Sequence, residues 1–184
     1  MKLTPAQPGH VVGASFGLVF ILANSAKLGS PGRAIVGAVA IAAALLVLVA
    51  FVQLLRAGGP RKPQQQSGRG YFAIVAAEVV LLFGGLAVLN RVEPTAAVGW
   101  VALVVGLHFM AFAYWWMRGN REMLAIGVLM SVLGVIGLVI AFAQQDRPLV
   151  GLVAGVGSGV VLLGNAVLAS LGVVGSEQRA AALQ

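Results

Sequence analysis

Apolar residues run almost without interruption through six stretches, at about 10–27, 34–55, 71–89, 95–117, 123–143 and 149–171. No polar face recurs along them at helical spacing, as the surface helices of a soluble protein require. A run of about 20 apolar residues rises about 30 Å as an α-helix, the thickness of a bilayer's hydrocarbon core. The pattern predicts an all-α membrane protein, one integral membrane domain over 1–184, with six transmembrane helices in three successive hairpins. Gly29-Ser30-Pro31-Gly32-Arg33 is expected to break the chain between the first two helices. Asn90–Pro94 and Gln144–Pro148 mark the other two hairpin turns, and Arg118–Glu122 is a short charged turn. The segment 56–70 (RAGGPRKPQQQSGRG) is the most hydrophilic and is expected to be a basic loop.

Small residues fall in register within several runs. Gly13 and Gly17 form a G-x-x-x-G step, with Asn24 on the same face. Gly127, Ser131 and Gly134 line one face of the fifth run, and Gly151, Gly155 and Gly159 one face of the sixth. In lipid, where the hydrophobic effect does not draw helices together, such faces allow close backbone approach. They are expected to be helix-packing faces, toward this chain or another. Tyr114, Trp115 and Trp116, followed by Arg118, are expected to anchor the fourth helix at an interface.

Composition agrees with the pattern: 60% of residues are hydrophobic and 9% charged, and the mean hydropathy is +0.99. The net charge of +7 is scattered over loops and ends without aromatic interleaving, which argues against nucleic acid as partner. With six spans, Lys2, Arg56, Arg61, Lys62, Arg69, Arg118, Arg121 and Arg179 share one side of the membrane. Lys27, Arg33, Arg91 and Arg147 take the other. The positive-inside rule then puts both termini inside, with anionic lipid the expected partner of the basic loop. A signal peptide is the alternative for the first run, since Ala23-Asn24-Ser25 imitates a cleavage site; a retained span is preferred because only one lysine and two prolines precede it. The absence of cysteine excludes disulfides and thiolate metal sites. Arginine, alanine, glycine and valine usage suggests a bacterial origin, hence the cytoplasmic membrane.

Two ionisable side chains stand where a bilayer makes them costly, Glu78 in the third run and His108 in the fourth. Counted from Tyr71 and Met117 they lie about 10 and 13 Å deep on antiparallel neighbours, so they are expected to meet. Close approach of those helices is favoured near Gly85 and Ala111. Ser131 and Asn165 fall at similar depth, giving an intramembrane polar layer of Glu78, His108, Ser131 and Asn165. One deep histidine is too few for a bis-histidine haem, and no nucleophile, phosphate-loop or dinucleotide motif occurs. No cofactor and no catalytic residue is expected.

The hairpin layout, with a proline near each outer turn, resembles small bacterial six-helix proteins of the HdeD acid-resistance type, without a shared diagnostic motif. Ala77-Glu78-Val79 resembles the start of small multidrug resistance transporters, a likeness of about a dozen residues that implies a membrane glutamate exchanging protons for cations. Two functions stay open: a non-enzymatic accessory subunit packing on other membrane helices, in a complex or a homo-oligomer, and a small proton-linked transporter or channel using Glu78 and His108.

Overall fold

The computed structural model describes residues 8–56, 69–116 and 120–172. They form α1 (Pro8–Asn24), α2 (Gly29–Arg56), α3 (Arg69–Val92), α4 (Ala97–Ala111), α5 (Arg121–Gln144) and α6 (Arg147–Ser170). Two of these contain π-helical turns, Phe112–Trp116 at the end of α4 and Gly151–Val156 within α6. Among the described residues, five helical runs are long and apolar enough to cross a membrane: Pro8–Arg56, Gly70–Val92, Pro94–Trp115, Arg121–Gln144 and Arg147–Ser170. The first is 49 residues long, well beyond one span, and is broken where Gly29 adopts a φ of +66°. Past that break α2 lies back along α1: Leu22 reaches Gly37, and Val11, Ala14 and Leu18 share a groove with Ile41, Leu45 and Leu48.

The expected turn at Gly29–Arg33 needs correction. The break falls earlier, in the 3-10 turn Ser25–Leu28 and at Gly29; Ser30, Pro31, Gly32 and Arg33 are already the first turn of α2. Proline is tolerated there because its missing N–H would have no intrahelical partner anyway. Similarly α3 extends to Val92 and carries Arg91 in its last turn, so the following turn is tighter than expected.

Large apolar side chains cover the outside, including Phe16, Val39, Phe72, Val80 and Phe83. Water would not tolerate such a surface, whereas hydrocarbon requires it. The chain is a small multi-pass helical membrane protein. Its main core lies between α1, α2 and α6 and contains Ala14, Ile21, Ala40, Val47, Val156 and Leu163. A smaller cluster of Ala96, Ala141 and Val150 joins the ends of α4, α5 and α6.

Absent side chains at glycine bring these helices together. A Cβ added at Gly159 would lie 2.6 Å from the Gly17 carbonyl oxygen, and one at Gly17 would lie 2.8 Å from that of Gly159. On the other side of the bundle α4 and α5 touch along Gly99, Gly106, Gly127 and Gly134: a Cβ at Gly106 would come within 2.7 Å of the Gly127 carbonyl, and one at Gly134 within 2.8 Å of that of Gly99. Gly151 and Gly155 accommodate Asn24, whose amide donates to the Phe20 carbonyl at 2.8 Å. Gly13 stands farther off, 4.0 Å from the Leu162 carbonyl.

The turns beyond α1, α3 and α5 are tied by polar contacts. Lys27 meets Asp146 at 2.7 Å, and the other Asp146 oxygen accepts from the Leu149 N–H, capping α6. Glu93 accepts from the Thr95 N–H at 3.1 Å and from the Gln145 side-chain amide at 2.9 Å. Both carboxyls are held below their ordinary range. For Glu93 the chief cause is hydrogen bonding from Thr95, with Gln145 adding to it and burial opposing it. For Asp146 it is the Lys27 contact, followed by the Leu149 N–H. A lowered folded-state value means that stabilisation is present above the unfolded carboxylate range and disappears as the pH falls through the folded values. The melting temperature in nanodiscs should therefore hold from neutral pH to about pH 5 and fall below about pH 4. Glu93→Gln with Asp146→Asn should flatten that fall. An acid limb as steep as the parent's would show that the ties contribute nothing.

Candidate functional site: an acid–base pair between two spans

α3 and α4 face each other along a seam set by three contacts. At one end Trp100 from α4 lies against Gly85, where any Cβ would collide with the indole ring. Its Nε1–H donates to the Leu81 carbonyl at 3.0 Å, so the indole's one polar atom is satisfied within the apolar seam. In the middle Glu78 meets His108. At the other end the Tyr71 ring lies 5.5 Å from that of Phe112.

The Glu78 Oε2 to His108 Nδ1 separation is 2.9 Å, with the side chains 25% and 14% exposed. Nδ1 itself is fully covered, and no acceptor lies in line with it. The two atoms are thus at ion-pair distance, with the carboxylate off the N–H direction. The Phe112 ring stands edge-on to the imidazole at 4.3 Å and 86°. Spacing explains why these groups converge. Tyr71, Glu78 and Gly85 are two turns apart on one face of α3, and His108 and Phe112 are one turn apart on α4.

Of the four residues expected in the polar layer, the seam unites Glu78 and His108. Ser131 lies on α5 over Gly106, with its hydroxyl buried and unpartnered. Gly106 and His108 point about 200° apart around α4, so Ser131 and Glu78 address different sides of that helix. Asn165 lies in the part of α6 that packs on α1, α2 and α5, half-buried. Direction around the helices separates Ser131 from the pair. Tyr114 and Trp115 are 72% and 65% exposed. The Trp116 side chain, Arg118 and residues 57–68 of the basic loop lie outside the described residues.

Chemically, the pair offers a proton donor and acceptor in contact within a span, a charge that hydrocarbon disfavours unless it is partnered. Concavities of 220 and 380 Å³ lie along the α1–α2 groove and beside Ser25, Ser30 and Arg33, away from the pair. Sequence reading did not single out Phe112 as a site residue, although its position one turn after His108 was a usable signal. Compared with protein-family models, curated proteins and solved structures, the chain matches none of them.

Proposed function

We propose that this chain is a non-enzymatic accessory subunit of a bacterial cytoplasmic membrane, with six spans and both termini inside, in which Glu78 and His108 clasp α3 onto the bundle. Counting α1 and α2 as separate crossings gives the six. The supporting observation is the uneven use of the helix faces. The glycine faces of α1, α4, α5 and α6 are closed against one another within the chain, whereas none of α3's described side chains is buried. α3 keeps one side on α4 and turns Phe72, Val80, Phe83 and Val88 outward, each at least 60% exposed. A helix held on one side by α4 and bare on the others suits a subunit that packs on a neighbour. The expected docking surface therefore moves from the glycine faces to α3.

A photoreactive residue replacing Phe83 should crosslink a second polypeptide in native membranes, and the same residue replacing Phe16 on α1 should not. Crosslinks from position 83 to lipid alone would contradict this reading. The second reading, a small proton-linked transporter or channel, is favoured by the contact itself, which sets a carboxylate beside an imidazole between two spans.

A further inference from the structure

The acid–base pair is not equally covered on its two sides. Toward Trp100 the seam is closed by an indole fitted against a glycine. Toward the end where α3 begins and α4 finishes, it is closed by two rings. Phe112 is 6% exposed and stands edge-on to the His108 imidazole, and Tyr71 lies against Phe112 with the ring planes 33° apart. Tyr71 is half-buried at the very start of α3, so its ring spans from the seam to the surface. Between the surrounding water and the pair, the order along the seam is Tyr71, Phe112, His108, Glu78.

The backbone changes character at the same place. The Phe112 N–H is shared between the carbonyls of His108 and Phe109, and from Phe112 to Trp116 the helix is π. A π turn holds one more residue per hydrogen-bonded loop than an α turn, so exchanging one for the other re-registers the side chains around it by about one residue. The π turn thus begins at the residue that covers the imidazole.

We propose that Phe112 and Tyr71 form an aromatic seal that controls water access to the covered Nδ1 of His108, and that the π turn beginning at Phe112 provides the movement by which the seal opens. A proton enters or leaves a carboxylate–imidazole pair in a span through water, and apolar ring surface excludes water from the seam. The seal rests on the reading of Glu78 and His108 as a clasp between two spans, and it specifies how water reaches that clasp. The ionisable groups facing it are Glu78 and Tyr71 from α3 and His108 from α4. α5, packed on the same end, brings Arg121 and Glu122, and Glu122 interacts with His10 on α1.

The test is hydrogen exchange of the His108 ring N–H with water, followed by NMR on ¹⁵N-histidine-labelled full-length protein in phosphatidylcholine–phosphatidylglycerol nanodiscs. The His108→Leu spectrum assigns the signal against His10, the other histidine. Phe112→Ala should raise the exchange rate by at least about tenfold, because the local opening that exchange requires is then permanent. Tyr71→Phe keeps the ring contact and should leave the rate near the parent's. Phe109→Ala removes a different ring, 5.9 Å from the imidazole but outside the Tyr71–Phe112 row, and should also leave it near the parent's. If Phe112→Ala does not fold, Tyr71→Ala at the half-buried position decides the matter by the same readout. Parent-like exchange in the Phe112→Ala variant, or an equal rise in Phe109→Ala, overturns the seal. Failure of the clasp would show differently, as unchanged stability in Glu78→Gln whatever the exchange rate.

Discussion

Gly159→Leu is expected to remove most of the folded protein, while Gly164→Leu on the same helix leaves it close to the parent. At Gly159 a Cβ alone would sit 2.6 Å from the Gly17 carbonyl and 3.1 Å from the Ile21 N–H nitrogen. Backbone cannot step aside as a side chain can, so α1 and α6 must separate, and the contacts of Ala14, Ile21 and Leu163 are lost with them. Overpacking of this kind costs about 3 kcal/mol or more, a large share of a small bundle's stability. Gly164 has nothing within 4 Å of an added Cβ, so leucine there meets lipid. Gly155→Leu should fall between the two, because its neighbour is the Asn24 side chain, which has other rotamers available. Monodisperse yield and melting temperature in mild detergent measure the series. Equal behaviour of the Gly159 and Gly164 variants would mean that the α1–α6 contact is not made in the membrane.

Glu78→Gln and His108→Leu should each destabilise the protein by roughly 2 kcal/mol, and the double variant by clearly less than the sum. Removing one member leaves the other without its partner in an apolar seam, whereas removing both leaves no ionisable group there. Breaking a fully buried pair costs about 3–5 kcal/mol; partial exposure of these side chains reduces the figure. A steric role for either residue would instead make the two losses add. The double variant should also lose α3's hold on α4 less completely than Gly85→Leu, since that change displaces the Trp100 ring and its bond to the Leu81 carbonyl.

How much was legible beforehand follows from which coordinate each feature depends on. Depth is linear in sequence: 1.5 Å per residue and a short turn are enough to bring Glu78 level with His108. Direction around a helix depends on what each helix packs against, and that is settled by all six together. Ser131 and Asn165, expected at the depth of the pair, therefore lie outside its seam. Gly85 shows the same limit. Its missing side chain was read as room for a close helix approach, but the space is taken by Trp100, whose indole needs both a gap and a carbonyl. The turn at Gly29–Arg33 misled because proline and glycine punctuate a chain equally well at the end of one helix and at the start of the next. The ties among the turns carried no local signal at all, with Lys27 and Asp146 separated by 119 positions.

The central claim is that Glu78 and His108 are in contact within the membrane. A carbon–nitrogen dipolar distance between the Glu78 carboxyl and the His108 imidazole, by solid-state NMR on the protein in bilayers, tests it most directly. The 2.9 Å contact predicts a carboxyl carbon within about 4.5 Å of Nδ1. A distance beyond about 6 Å, outside the range of strong charge coupling, would contradict it.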